Sequence, residues 1–196
     1  RSGTHVLEYP ASGGALSILA ARRNATVDVL TADKDQVPGL QELFILAGVE
    51  DDVHIQTIPT AIPGPKDWGG AYDSIVSVEK LEVVGTTGAK KYIKAFDRML
   101  TTGGHVAMQS LVATEQMGPI QREALGMLRA YIWPALKYPT VEEVHQLVDR
   151  ESSLRVIGET HFPGHYLKSV QLQREVFEGQ LREAAADGFD AVFRRM

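Results

Sequence analysis

Apolar positions along the chain recur with two alternating periods, and that alternation predicts the architecture. Residues 5–9 (His-Val-Leu-Glu-Tyr) form a short apolar run that reads as a buried strand. A turn of Pro10, Ala11, Ser12, Gly13 and Gly14 follows, then an alanine- and leucine-rich helix to Arg23. Residues 26–31 are β-branched and end at polar residues, as a second strand would. Asp33 precedes a helix from about Lys34, with Leu40, Leu43, Phe44 and Ala47 at helical spacing and Gly48 as its stop. Residues 53–58 alternate as a third strand, and 59–70 are a loop rich in Gly and Pro. Further strands are expected at 73–78 (with Tyr72 just before), 105–111 after a Gly103-Gly104 turn, and 154–160. Helices are expected over 87–100, 116–133, 140–150 and 166–184.

Strands alternating with helices of this length predict an α/β fold, a doubly wound and mostly parallel sheet. Right-handed crossovers give the order 3-2-1-4-5, with the sixth strand beyond. In such sheets ligands bind past the carboxyl ends of the strands, here near 8–14, 31–36, 77–85, 109–111 and 161–166. There is no internal repeat and no low-complexity linker, so 1–196 reads as one domain.

Composition narrows the function classes. The chain is 44% hydrophobic and 23% charged, the balance of a folded globular protein. Its 20 Lys+Arg against 25 Asp+Glu give a formal charge of −5, with no basic run, so nothing points to nucleic acid. Without Cys there is no disulfide, thiolate metal site or Cys nucleophile, and no metal is expected. No apolar stretch reaches the roughly 20 residues that span a bilayer. The sequence starts abruptly before its first strand, which leads to the expectation that it is the central part of a longer, cytoplasmic protein.

Specific motifs lie at the expected ligand-binding ends. Residues 6–16 (Val-Leu-Glu-Tyr-Pro-Ala-Ser-Gly-Gly-Ala-Leu) resemble the V-L-E-x-G-x-G-x-G motif of class I S-adenosylmethionine-dependent methyltransferases. Residues 73–85 (Asp-Ser-Ile-Val-Ser-Val-Glu-Lys-Leu-Glu-Val-Val-Gly) resemble D-x-I-V-S-I-E-x-F-E-H-V-G. That segment belongs to cyclopropane-fatty-acyl-phospholipid synthases and mycolic-acid methyltransferases. Residues 30–36 are similar to that family's I-T-L-S-x-E-Q, and 99–111 to L-L-K-P-G-G-x-x-x-L-Q/H-x-I. Tyr131-Ile132-Trp133-Pro134 is similar to Y-I-F-P, and Pro163-Gly164-His165-Tyr166 with Leu172 and Phe177 to P-H-Y-x-x-T-L-x-x-W-x-x-x-F. The matches are in family order and span the chain.

The resemblance implies a Rossmann-like methyltransferase lacking the family's N-terminal helical segment and last strand. It implies transfer of the S-adenosylmethionine methyl to the double bond of an unsaturated phospholipid acyl chain, through a carbocation, at the surface of a membrane. Cofactor contacts would come from Glu8, Ala11, Ser12, Gly13, Gly14, Thr31, Gln36, Ser77 and Glu79. Glu82, Gln109 and Tyr166 would be catalytic, holding a bicarbonate that acts as base. Trp133 and Phe162 would shelter the acyl chain, and His165 would be structural.

Each candidate also has a plainer reading. Glu82 could be a helix-start carboxylate favoured by the helix dipole, Gln109 a satisfied strand cap, and Tyr166 a half-buried ring that only packs. Asp28 is polar in an apolar run and has no assigned role. Pro10 and Ser12 replace two family glycines, Val83 replaces a His, and Ala135-Leu136 replaces Gly-Gly. These departures keep open a non-catalytic paralogue that binds a partner. A methyltransferase of a soluble acceptor also fits the fold. A nicotinamide oxidoreductase fits worst, because the first turn lacks dinucleotide spacing and the second strand does not end in Asp or Glu.

Overall fold

The computed structural model describes residues 3–60, 62–64, 67, 71–114 and 117–195. They form two compact units, residues 1–155 and 156–196.

The first unit is built on five strands: β1 (Thr4–Glu8), β2 (Ala25–Thr31), β3 (Val53–Thr57), β4 (Tyr72–Val78) and β5 (Leu100–Gln109). All neighbouring pairs are parallel, in the order β3-β2-β1-β4-β5. Because successive side chains point to opposite faces, β1 sends Val6 to one core and Leu7 and Tyr9 to the other. Helices α1 (Ala15–Ala21) and α2 (Gln36–Ala47) follow β1 and β2, and Leu40 and Phe44 of α2 pack with Val27 and Val29. On the opposite face α3 (Gly85–Met99) buries Tyr92, Ile93, Phe96 and Met99, an i, i+1, i+4, i+7 stripe. The sheet is doubly wound, as the pattern predicts.

Helix ends follow local chemistry. Pro38 lies in the first turn of α2, where its missing N–H breaks no helical bond. Gly48 ends α2 at φ +65°, its N–H donating to the Ile45 carbonyl. Further on, α4 (Pro119–Tyr131) starts at a proline, and α5 (Val141–Glu151) opens with a capping box between Thr140 and Glu143.

Two expectations need correction. Residues 154–160 form no strand; Val156 and Ile157 are exposed instead of pairing. A β-branched run becomes a strand only if a sheet edge takes its backbone, and propensity alone cannot supply that partner. The second is Gly103-Gly104, which lies inside β5 and not in a turn before it. The pairing with β4 shifts register between Tyr72 and Ser74, and a Cβ at Gly104 would lie 3.1 Å from the Asp73 carbonyl. The glycine permits a bulge where two backbones approach closely.

The second unit contains α6 (Pro163–Gly179), α7 (Leu181–Ala186) and a short 3₁₀ turn, Phe193–Arg195. Phe189 stacks on Phe193 at 4.6 Å within it. Among the described residues no helix is long and apolar enough to cross a membrane, and no His/Asp/Glu group could hold a metal.

Asp28 gains a structural role. Its carboxylate accepts from the Tyr72 hydroxyl at 2.9 Å and pairs with His5 at 3.1 Å and His54 at 3.5 Å. It therefore ties β2 to β1, β3 and β4 below the ligand-binding ends. Asp28→Ala deprives the buried Tyr72 hydroxyl of this acceptor and should cost about 1–3 kcal/mol. Urea unfolding of the full-length protein measures the loss, and S-adenosylhomocysteine affinity should not change.

Candidate active site

Two groups of side chains lie at the carboxyl rim of the sheet. One is the turn after β1. Glu8 is 1% exposed, yet both its oxygens have partners. Oε1 accepts from Ser12 N at 2.7 Å and Ser12 Oγ at 2.6 Å, and Oε2 accepts from Ser17 N at 3.1 Å and from Ser17 Oγ. The carboxylate thus shapes the turn from beneath and is not open to a ligand. The Ser12 hydroxyl, where the related motif has a glycine, is spent on Glu8 within the turn itself.

Gly13 and Gly14 carry positive φ, +89° and +84°. A Cβ on Gly13 would meet nothing within 4 Å, so its backbone faces open space. Gly14 is the opposite case: a Cβ would lie 2.9 Å from Leu43 Cδ2 and 3.0 Å from Phe44 Cε1. One glycine leaves room for a ligand and the other lets α2 pack close. Ala11 is held by its N–H on the Leu30 carbonyl, 3.0 Å.

Thr31 ends β2 and is buried. Its Oγ1 accepts from Asp33 N at 3.0 Å and donates to Gln36 Oε1 at 3.2 Å. That fixes the Gln36 amide and leaves its Nε2 without a hydrogen bond among the described residues. Gly13 and Gln36 line one open concavity of about 310 Å³ with Asp35, Gly39, Leu40 and Leu43. Asp35 was missed by sequence reasoning. It lies one residue before Gln36 and offers an acceptor suited to a sugar diol. An open glycine backbone beside an amide and a carboxylate fits the amino-acid and ribose parts of S-adenosylmethionine.

Ser77 does not join this concavity. It is 1% exposed, and its hydroxyl meets the Tyr92 hydroxyl at 2.5 Å. The Tyr92 hydroxyl in turn donates to the Tyr9 carbonyl at 3.0 Å. Since Tyr92 has one hydroxyl proton, Ser77 must be the donor to it. Burial pushes the Tyr92 phenol well above its usual range, so this network stays protonated.

The second group lies one strand over, past β4 and β5. Glu79 has φ +51°, in the left-handed region few non-glycine residues adopt. Gln109 holds it twice: Glu79 N donates to the Gln109 carbonyl at 2.9 Å, and Gln109 Nε2 donates to Glu79 Oε1 at 3.1 Å. Glu82 sits in the 3₁₀ turn Leu81–Val83 and is 2% exposed. Its Oε2 accepts from Ser110 Oγ at 2.9 Å and its Oε1 from Leu111 N at 3.0 Å.

Burial, then the nearby Glu82 charge, raise the Glu79 carboxyl above its ordinary value, against the lowering effect of Gln109. Burial lowers the Lys80 ammonium, which lies between them in sequence. Opposed shifts of this kind are common where protons are exchanged.

Glu82 and Gln109 are therefore at the same rim, as expected, but not on each other. The Gln109 amide spends one of its two N–H groups on Glu79. Tyr166 lies in the first turns of α6, and Phe162 just before it, both in the second unit. Trp133 follows α4 in the first unit and is half-exposed. Ser110 is a member that the sequence reading missed; its only signal was that it follows Gln109 at a strand end.

The sequence matches the family described as mycolic acid cyclopropane synthetase over residues 1–196. It is 30% identical over 196 residues to tuberculostearic acid methyltransferase UfaA1 of Mycobacterium tuberculosis, covering all of this chain and 45% of that protein. The chain thus spans under half the length of that relative. Among solved structures, the cyclopropane synthase MmaA2 from Mycobacterium tuberculosis superposes with a TM-score of 0.84 at 18% identity. The mycolic acid cyclopropane synthase CmaA1, complexed with SAH and CTAB, gives 0.83 at 20%. Both comparisons cover all of this chain and 70% of the other, and they establish the fold as that of class I methyltransferases. With its motif order, strand order and match over residues 1–196 in agreement, the chain belongs to the mycolic acid cyclopropane synthetase family.

Proposed function

We propose that the chain is the core of an S-adenosylmethionine-dependent methyltransferase acting on the double bond of an unsaturated fatty-acyl chain of a phospholipid. The observation that carries the reading is the Glu79–Glu82 pair, held by Gln109, Ser110 and Leu111 one strand away from the open glycine turn. That spacing provides a cofactor seat and a proton acceptor on adjacent strands of one rim.

When bound, S-adenosylmethionine supplies an electrophilic methyl group to the alkene. The chain's residues have three tasks. Gly13 and Gln36, with Asp35, seat the cofactor. Trp133, on the first unit, keeps water from a cationic acyl chain. Glu79 then takes the proton at its carboxylate: a C–H bond breaks, its electron pair closes a cyclopropane or forms a methylene group, and the proton passes to a Glu79 oxygen. A carboxyl with a raised pKa is the stronger base for that step. The Glu82 charge beside it raises its proton affinity.

The site of action is the membrane–water interface of a peripheral protein, since the acyl chain resides in lipid. The test uses the full-length protein with methyl-labelled S-adenosylmethionine and vesicles of oleoyl phosphatidylglycerol. Labelled acyl chains that have gained one carbon support the reading. Tight binding of S-adenosylhomocysteine with no labelled lipid would favour a methyltransferase of another acceptor, and no cofactor binding a non-catalytic paralogue.

A further inference from the structure

We infer that Tyr92 of α3 is a positioning residue for the cofactor, its hydroxyl fixing the direction in which the chain leaves β1 to form the open glycine turn. The inference rests on the cofactor seat of the reading above and adds a residue that the sequence pattern marks as a core position alone.

A hydroxyl at this position calls for a reason. Tyr92, Ile93, Phe96 and Met99 are the stripe that α3 buries, and Tyr92 is 0% exposed. Phenylalanine would fill the same core without taking a hydroxyl out of water, which is costly unless the group is bonded. Here it is bonded twice. It accepts from Ser77 Oγ, which directs its one proton to the Tyr9 carbonyl at 3.0 Å. The ring itself is held by the rings of Tyr9 at 5.6 Å and Phe96 at 4.4 Å.

The Tyr9 carbonyl is where the turn begins. Each residue has two soft dihedrals, and the ring of Pro10 fixes one of its own. Tyr9 N is tied to the Val76 carbonyl at 2.9 Å, so the first torsion left free is the Tyr9 ψ. The direction of the Tyr9 carbonyl sets that torsion, and Tyr92 holds the carbonyl. Further along, Ala11 N on the Leu30 carbonyl and Ser12 N on Glu8 tie the turn to β2 and β1. The turn is thus held by strands within the sheet and by Tyr92 from the α3 face.

Without the Tyr92 bond the turn spends part of its time in arrangements that do not present Gly13 to the concavity it shares with Gln36. Apparent affinity then falls by the fraction of molecules in the competent arrangement.

The experiment compares full-length wild type with Tyr92→Phe and Ile93→Val. The Phe ring keeps the packing against Tyr9 and Phe96 and removes the hydroxyl. Ile93 is the next residue of the same buried stripe and has no polar side-chain group, so Ile93→Val loosens the core alone. S-adenosylhomocysteine affinity is measured by calorimetry, and stability by urea unfolding. Both variants should unfold at lower urea than wild type. Tyr92→Phe should bind S-adenosylhomocysteine about tenfold more weakly, and Ile93→Val within about twofold of wild type. In lipid methylation the Phe variant should show a raised KM for S-adenosylmethionine, with kcat at saturating cofactor unchanged. Wild-type affinity in Tyr92→Phe overturns the inference, and so does an equal loss in both variants, which would assign the effect to core packing. A wild type that binds no S-adenosylhomocysteine defeats the cofactor seat and the inference with it. Lack of lipid turnover in all three proteins defeats the substrate reading alone, because the affinities are measured without turnover.

Discussion

Glu79→Gln is expected to lower turnover by roughly 10²–10⁴-fold while raising stability at neutral pH. The two effects share one cause. Burial and the Glu82 charge make this carboxyl harder to ionise in the folded chain than in the unfolded one. Above the unfolded pKa the folded state is therefore penalised for holding the charge; as pH falls through the raised folded pKa, the penalty disappears. A neutral Gln carries no such penalty, and its carbonyl can still accept from Gln109 Nε2. Its melting temperature should exceed wild type at pH 7.5, and the gap should close near pH 4. The same substitution removes the only group proposed to take the proton. Near-normal turnover would end Glu79's role as base, and a lower melting temperature at pH 7.5 would show that its charge is stabilising.

This pairing of lost activity with gained stability explains the strained backbone at Glu79. A left-handed non-glycine residue costs of order 1–3 kcal/mol and persists where its surroundings over-determine it. Here Gln109 supplies that constraint through one main-chain and one side-chain bond. Backbone strain, desolvation and like-charge repulsion converge on this one residue.

How much of this was legible in sequence follows from the range of each interaction. Strands β1–β5 were readable because alternation and β-branching are local signals. Their order was readable because right-handed crossovers leave few alternatives. The sixth strand failed for the converse reason: Leu154 to Thr160 has strand-like composition, but an edge partner is a property of the fold. Gly103-Gly104 misled in a similar way, since a glycine pair marks a bulge as readily as a turn.

At the site, motif resemblance led to Glu82 and Gln109 but joined them to each other. Side chains alternate along β5, so Gln109 and the residues after it point differently. Gln109 goes to Glu79, and Ser110 goes to Glu82. Ser12 was read as a departure from the family's glycine turn, and in the fold it is a donor to Glu8, a pairing only the folded turn reveals. Asp35 carries no periodic signal at all.

Glu82 separates a structural carboxylate from a working one, and two substitutions are needed to do it. Glu82→Leu removes both acceptors and leaves the Leu111 N–H and Ser110 O–H without them. The expected loss is about 1–3 kcal/mol for the amide alone. Activity should fall with stability, which by itself says nothing about chemistry. Glu82→Gln is different. Its carbonyl can keep the Leu111 N–H, and Ser110 can rotate to accept from the new amide, because a hydroxyl both donates and accepts. Stability should therefore change little. What disappears is the negative charge that raises Glu79. The Glu79 midpoint should fall, and the acid limb of kcat/KM should move to lower pH. Turnover above that limb should drop about tenfold as the base weakens. Combining Glu82→Gln with Ser110→Ala leaves the introduced amide without its acceptor, and the stability loss of the Leu variant should return. A Glu82→Gln enzyme with an unshifted pH profile and full turnover would make Glu82 a structural tie between its 3₁₀ turn and the end of β5, and proton removal would rest on Glu79 alone.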